Sequence, residues 1–165
     1  MKGREPRAHD KSHRDRQIEE VQHDPYHARG KPAEPAVCPQ CGVVHHKGRW
    51  QRAARPDQAS EHLCPACHRI NDRAPAGYVT LAGAYMTTRG EEVLRLVRNE
   101  EAREAQDHPL QRIMGIENSA GVVTVTTTDV HLARRIGDAL RSAFQGELVI
   151  KYSADEYLVR VNWTR

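Results

Sequence analysis

From residue 78 to the end of the chain, apolar and polar positions repeat with two clear periods. Val93, Leu94, Leu96 and Val97 follow Thr88 and Glu91, a pair spaced as a capping box. A helix is therefore predicted over residues 89–107, stopped by Pro109. Ala133, Ile136, Leu140 and Phe144 form one face of a second helix, with Asp129 as its N-cap and Gly146 at its end. Residues 111–117 and 122–127 are β-branched or apolar runs joined by Asn118-Ser119-Ala120-Gly121, a hairpin pattern. Two further strands are predicted over 147–152 and 157–163. In the second, Tyr157, Val159, Val161 and Trp163 share one face by period-2 alternation. Residues 78–82 read as a short strand or an extended linker. Helix, two strands, helix, two strands is an order that packs as a two-layer α+β domain.

Upstream the pattern fades. Residues 1–36 carry only Ile18, Val21 and Tyr26 as large apolar side chains beyond Met1, with His9, His13, His23 and His27 scattered among charges and prolines. Such a segment buries too little apolar area to offset the entropy of ordering, so a disordered polar tail is expected, dispensable for the α+β fold up to residue 34. Residues 12–22 could form a short helix, but Ile18 and Val21 alone make a poor apolar face. The histidines lack a regular spacing and read as solvated. Residues 37–77 are poor in aliphatic side chains and rich in turn formers. They read as a small module that needs a staple, with its boundary at Ala76-Gly77.

The staple is visible in the cysteines. Cys38-Pro-Gln-Cys41-Gly42 and Cys64-Pro-Ala-Cys67 are two C-x-x-C pairs separated by 22 residues. A two-residue gap lets one tight turn aim both sulfurs at one ion, and Gly42 can adopt the positive φ that turns backbone N–H groups toward them. Cys38, Cys41, Cys64 and Cys67 thus form the closed tetrahedral set of a structural zinc site. A redox C-x-x-C normally opens a helix within a βαβ unit, a context expected to be absent here, and iron is the less common occupant of a four-sulfur ribbon. His68 stands where symmetry with Gly42 would place a glycine, but Cys67 already completes the set. His45 and His46 are weaker candidates still.

Net charge adds a second clue. The formal charge of +3 resides in residues 37–77, against +1 for 1–36 and −1 for 78–165. Between the cysteine pairs lie Lys47, Arg49, Trp50, Arg52 and Arg55, and Arg69 and Arg73 follow the second pair. Cations beside an aromatic suit phosphate contact with base stacking. Trp50 has an equally simple role as the large apolar residue that packs the module. Arg134, Arg135 and Arg141, and the carboxylates Glu100, Glu101 and Glu104, read as solvated helix faces. No phosphate-binding loop, dinucleotide fingerprint or nucleophile elbow occurs, so a non-enzymatic protein is expected. Without a membrane span or export signal, the expected location is cytoplasmic.

The double cysteine knuckle, followed by His108-Pro-Leu-Gln-Arg-Ile, Gly121-Val-Val-Thr-Val, Leu132-Ala-Arg-Arg-Ile and Leu148-Val-Ile-Lys-Tyr-Ser, resembles the N-terminal part of the archaeal and eukaryotic export adaptor of the large ribosomal subunit. Lys151 and Ser153 match that family's Lys-x-Ser before the last strand. Residues 37–165 also resemble a group of small bacterial zinc-ribbon proteins with Cys-Pro-x-Cys-Gly, Gly-Arg-Trp and Cys-Pro-Ala-Cys-x-Arg-Ile. This chain has one pair of knuckles where the adaptor has a longer cysteine series, so nuclear export is not implied. The resemblance implies binding to structured RNA or the ribosome, carries over Cys38, Cys41, Cys64 and Cys67, and brings no catalytic residue. The alternative expectation is a protein-interaction or regulatory module.

Overall fold

Residues 77–82, short as they are, form the central strand of the larger sheet in the computed structural model, which describes residues 24–27 and 30–165. The chain is α+β, with three helices and two mixed sheets among the described residues. The first sheet is small and built from β1 (Ala36–Val37), β2 (Val44–His46), β3 (Arg49–Gln51) and β4 (Ser60–Glu61), in the order β3-β2-β1-β4. Helix α1 (Pro65–Asp72) follows it. The rest is β5 (Gly77–Ala82), α2 (Ala84–Asp107), β6 (Ile113–Ser119), β7 (Val122–Thr127), α3 (Val130–Phe144), β8 (Glu147–Tyr152) and β9 (Val159–Thr164). The second sheet runs β6-β7-β5-β9-β8, with β5 and β9 parallel and every other pair antiparallel.

Period-2 alternation places Val79, Leu81, Val123, Val125, Val159, Val161 and Trp163 on one face, where α2 and α3 cover them. Trp163, fully buried, donates its indole N–H to Gln145 O at 2.8 Å, so its polar atom is satisfied inside the core. Gly137 lets α3 approach closely: a Cβ there would stand 2.6 Å from Val161 Cγ1. Asp129 caps α3 as expected, its carboxylate accepting from His131 N at 2.7 Å.

Three sequence expectations change. Helix α2 begins at Ala84 and bends at Arg89 (φ −129°, ψ 18°). The capping box is not made: the Thr88 hydroxyl donates back to Tyr85 O at 3.4 Å instead. The neighbouring Gly90 lowers helix propensity where the bend falls. The carboxylates of α2 are not all solvated either. Glu104 is buried against Arg135 (3.0 Å), and Glu101 accepts from Ile113 N at 2.7 Å, which ties α2 to α3 and β6.

The third change concerns the segment expected as a tail. Residues 1–23, including the candidate helix 12–22 and His9, His13 and His23, lie outside the described residues, as do 28 and 29. The described part of the segment is bound to the fold. Asp24 forms an ion pair with Arg69 at 2.6 Å, with both side chains less than a tenth exposed. Tyr26 lies against the Arg69 guanidinium at 4.3 Å and bonds Asp72 at 2.9 Å.

Candidate metal centre

The site is assembled from two local structures of different kinds. After β1, the chain turns through Cys38 to Gly42: Gly42 N–H donates to Cys38 O and Cys38 N–H to Val43 O, each at 2.9 Å. Gly42 takes φ 78°, the conformation expected of it. The second pair is not a symmetric knuckle. Cys64 is the N-cap of α1, Pro65 occupies the first turn, and Cys67 lies one turn in. A C-x-x-C at a helix N-terminus is the redox context the sequence did not reveal, but here the facing group is another cysteine pair. The positive end of α1 favours thiolates at both positions.

Together the four Sγ atoms lie within 4.8 Å of one another. The Cys41–Cys64 sulfur separation is 3.7 Å. A tetrahedral ion with sulfur bonds of about 2.3 Å requires sulfurs about 3.8 Å apart, so the donor set fits one ion of zinc size. Backbone N–H groups support the sulfurs: Cys64 N points at Cys38 Sγ and Cys67 N at Cys64 Sγ, both at 3.4 Å. Burial pushes the Cys38 thiol up, but the N–H groups of Cys64, Cys41 and Gln40 outweigh it and bring the group down to about 7. Burial raises Cys64 and Cys67, and neighbouring sulfur charge adds to it. Four sulfurs packed this closely cannot all ionise unaided, and a divalent cation would supply the missing charge.

Arg112 is the member that sequence reasoning missed. It comes from the other sheet's approach to β6 and donates to Cys67 Sγ at 3.2 Å and Cys64 Sγ at 3.7 Å. A four-thiolate site around a divalent ion carries two net negative charges, and a guanidinium offsets part of that. Nothing in the spacing announces Arg112, which stands 45 residues from Cys67 in the chain. Thr128 holds it in place: Arg112 N donates to Thr128 Oγ1 and Thr128 N to Arg112 O, both at 2.9 Å. His68 is not part of the sulfur cluster.

The basic residues separate on folding. Lys47 and Gly48 form a two-residue turn between β2 and β3, both with positive φ (51° and 76°), the geometry of a type I′ hairpin. Glu34 braces it by accepting from Lys47 N (3.1 Å) and Gly48 N (2.7 Å), and the Gly48 bond holds its carboxyl below the usual range. The Lys47 and Arg49 side chains are exposed and form no ion pair among the described residues. Arg52 donates to Ala105 O at 3.1 Å, anchoring the module on the end of α2. Arg55 pairs with Glu61 at 3.9 Å on the surface.

Arg69 leaves the patch altogether. It is 4% exposed, and its charge is spent on Asp24, Ala74 O and the Tyr26 ring. Arg73 lines a separate hollow with Tyr78, Tyr157 and Arg160.

Trp50 is half-buried. Its ring stacks on His62 (28° between planes, centroids 6.2 Å apart) and meets His45 edge-on, against the sulfur cluster. It also borders a cleft of about 540 Å³ that Lys31, Arg49, His108 and Leu110 line as well. Packing is therefore its first role. Trp50→Ala is expected to speed metal release to a chelator while the melting of the five-stranded sheet changes little, as followed by zinc-sensitive dye and circular dichroism. Unchanged release would separate Trp50 from the integrity of the centre.

No protein family, curated protein or solved structure matches the chain. Its class is therefore described by fold and site: an α+β protein with a four-cysteine cluster able to hold one metal ion. No described helix is long and apolar enough to cross a membrane.

Proposed function

We propose that this protein is a non-enzymatic, zinc-stapled RNA-binding protein whose contact surface is the β2–β3 hairpin and the cleft beside it, with the ribosome as the natural setting. The observation that carries the reading is the placement of the Lys47 and Arg49 side chains, which form no ion pair among the described residues, at a hairpin turn that Glu34 braces. A cationic, stapled hairpin suits phosphate contact. The adjoining cleft offers the Trp50 edge and imidazoles to an unstacked base. Four thiolates fill a tetrahedral ion's coordination sphere, which suits a structural metal and leaves no position for a substrate. The resemblance of residues 37–165 to the ribosomal-subunit export adaptor points the same way.

The removal of Arg69 from the surface weakens the patch and favours the alternative, a protein-interaction module. Salt dependence separates the two. Binding of the full chain to a fluorescently labelled RNA hairpin should weaken steeply with salt, and Lys47→Ala with Arg49→Ala should make the log–log slope shallower by about 1.5. Binding that is absent, or indifferent to both salt and the double substitution, would overturn the RNA reading.

A further inference from the structure

The five-stranded sheet ends in two unequal edges. The β6 edge is interrupted by a register shift between Ile113 and Gly115. Such a bulge is a common way of blunting an edge against further pairing. The β8 edge is regular: all six of its residues pair in unbroken register with β9, from Glu147↔Thr164 to Tyr152↔Val159. On its other side, among the described residues, no strand of the sheet pairs with it.

The side chains of β8 carry a symmetry of their own. Glu147, Val149 and Lys151 share the sheet face that the helices leave uncovered, and Val149 is 37% exposed there. If a second β8 pairs antiparallel about a two-fold axis at Val149, position 147 of one copy falls opposite 151 of the other. Glu147 then meets Lys151 of the second copy twice, once on each side of a Val149–Val149 contact. On the helix side the same register sets half-buried Leu148 opposite half-buried Ile150. Each of the five positions from 147 to 151 meets a neighbour matched in charge or in apolarity, which is the self-complementarity an isologous contact demands.

The isolated chain also leaves an unfavourable pair that this contact relieves. Lys151 stands directly opposite Arg160 on β9, both exposed, and like charges in that relation repel. Among the described residues no carboxylate pairs with either, and Glu147 has no cationic partner. The incoming Glu147 lands beside this pair of cations.

We infer that β8 is a homodimer interface, joining two copies into one continuous ten-stranded sheet through antiparallel β8–β8 pairing centred on Val149. The partner is a second copy of this chain, because β8 itself places an acid and a base at these mirrored positions. A dimer would also present two β2–β3 hairpins at once, whatever those hairpins bind.

Sedimentation equilibrium of the full, metal-loaded chain tests the contact, with hydrogen exchange of the β8 amides read at low and high concentration. A concentration-dependent dimer with slower β8 exchange is expected. Lys151→Glu alone, or Glu147→Lys alone, replaces two attractive contacts by two repulsive ones and should weaken the dimer at least about tenfold. The double exchange Glu147→Lys with Lys151→Glu restores opposite charges across the axis and should recover the dimer. Both positions are exposed, and an unchanged circular-dichroism spectrum in each variant excludes misfolding as the cause. A chain that stays monomeric at 100-fold above micromolar concentration would overturn the inference. So would a dimer insensitive to single reversal, or one that the double exchange fails to rescue.

Discussion

Cys64→Ser should abolish metal binding and unfold the small sheet while the five-stranded sheet survives. Cys64 does more than supply one of four sulfurs. It caps α1, accepts from Cys67 N, receives Arg112 and stands 3.7 Å from Cys41. The module has few alternatives to that staple, because its buried apolar residues beyond the cysteines are small ones, Ala36, Val37, Val43, Val44 and Ala66, with Trp50, Leu63 and Leu110 packed against the sulfur cluster. Apparent binding free energies of structural zinc sites are about 10–16 kcal/mol at neutral pH, more than so small a core supplies. Metal content should fall from one ion per chain to near zero, and amide protection over residues 36–72 should collapse. Acid should act in the same direction on the wild-type chain, since protons compete with the ion for thiolates and affinity falls as pH falls. A variant that keeps its ion, or a metal-free chain with undiminished protection, would contradict the structural role of the centre.

Arg69→Ala is expected to cost about 3–5 kcal/mol, the range for removing one partner of a buried ion pair and leaving the other uncompensated. Asp24 is the stranded partner: its side chain is 9% exposed, and Arg69 meets it at 2.6 Å. The Tyr26 ring contact and the bond to Ala74 O disappear with the guanidinium. Deleting residues 1–34 should produce a comparable loss, because it strands Arg69 instead and also removes the Glu34 brace from the β2–β3 turn. Thermal melts of the two variants and of their combination check this. The combined loss should fall well short of the sum of the two, since both remove the Asp24–Arg69 pair. A deletion that leaves the melting temperature unchanged would restore the reading of residues 1–34 as a dispensable tail.

Most of the α+β architecture was legible because its elements report locally. The alternation at Val159, Val161 and Trp163, the Asp129 cap and the Asn118-to-Gly121 hairpin each reside within a few residues. The structure agrees with them to within a residue or two. The start of α2 was misread because Thr88 and Glu91 match a capping pattern whose hydrogen bonds a preceding helical turn pre-empts. Helix α1 was missed since Pro65 to Asp72 is only eight residues long and shows no extended apolar stripe. Its formation depends on Cys64 as a cap and on the site it faces.

Sequence by itself determined the chemistry of the metal centre: four thiol donors in two C-x-x-C pairs, each pair close enough in the chain to converge on one ion. It also determined the periodicities that fold one sheet beneath two helices, since each is a local match of side-chain type to backbone geometry. Tertiary structure alone decided the fate of individual charges. Arg69, Arg52 and Arg49 are equal in the sequence, yet the fold buries the first against Asp24, ties the second to Ala105 and exposes the third. It alone brought Arg112 to the sulfurs, and it alone made residues 77–82 the centre of a sheet. Those outcomes turn on which distant residue arrives at a given point, and ion pairs and strand neighbours are set by packing in three dimensions, to which local spacing is blind.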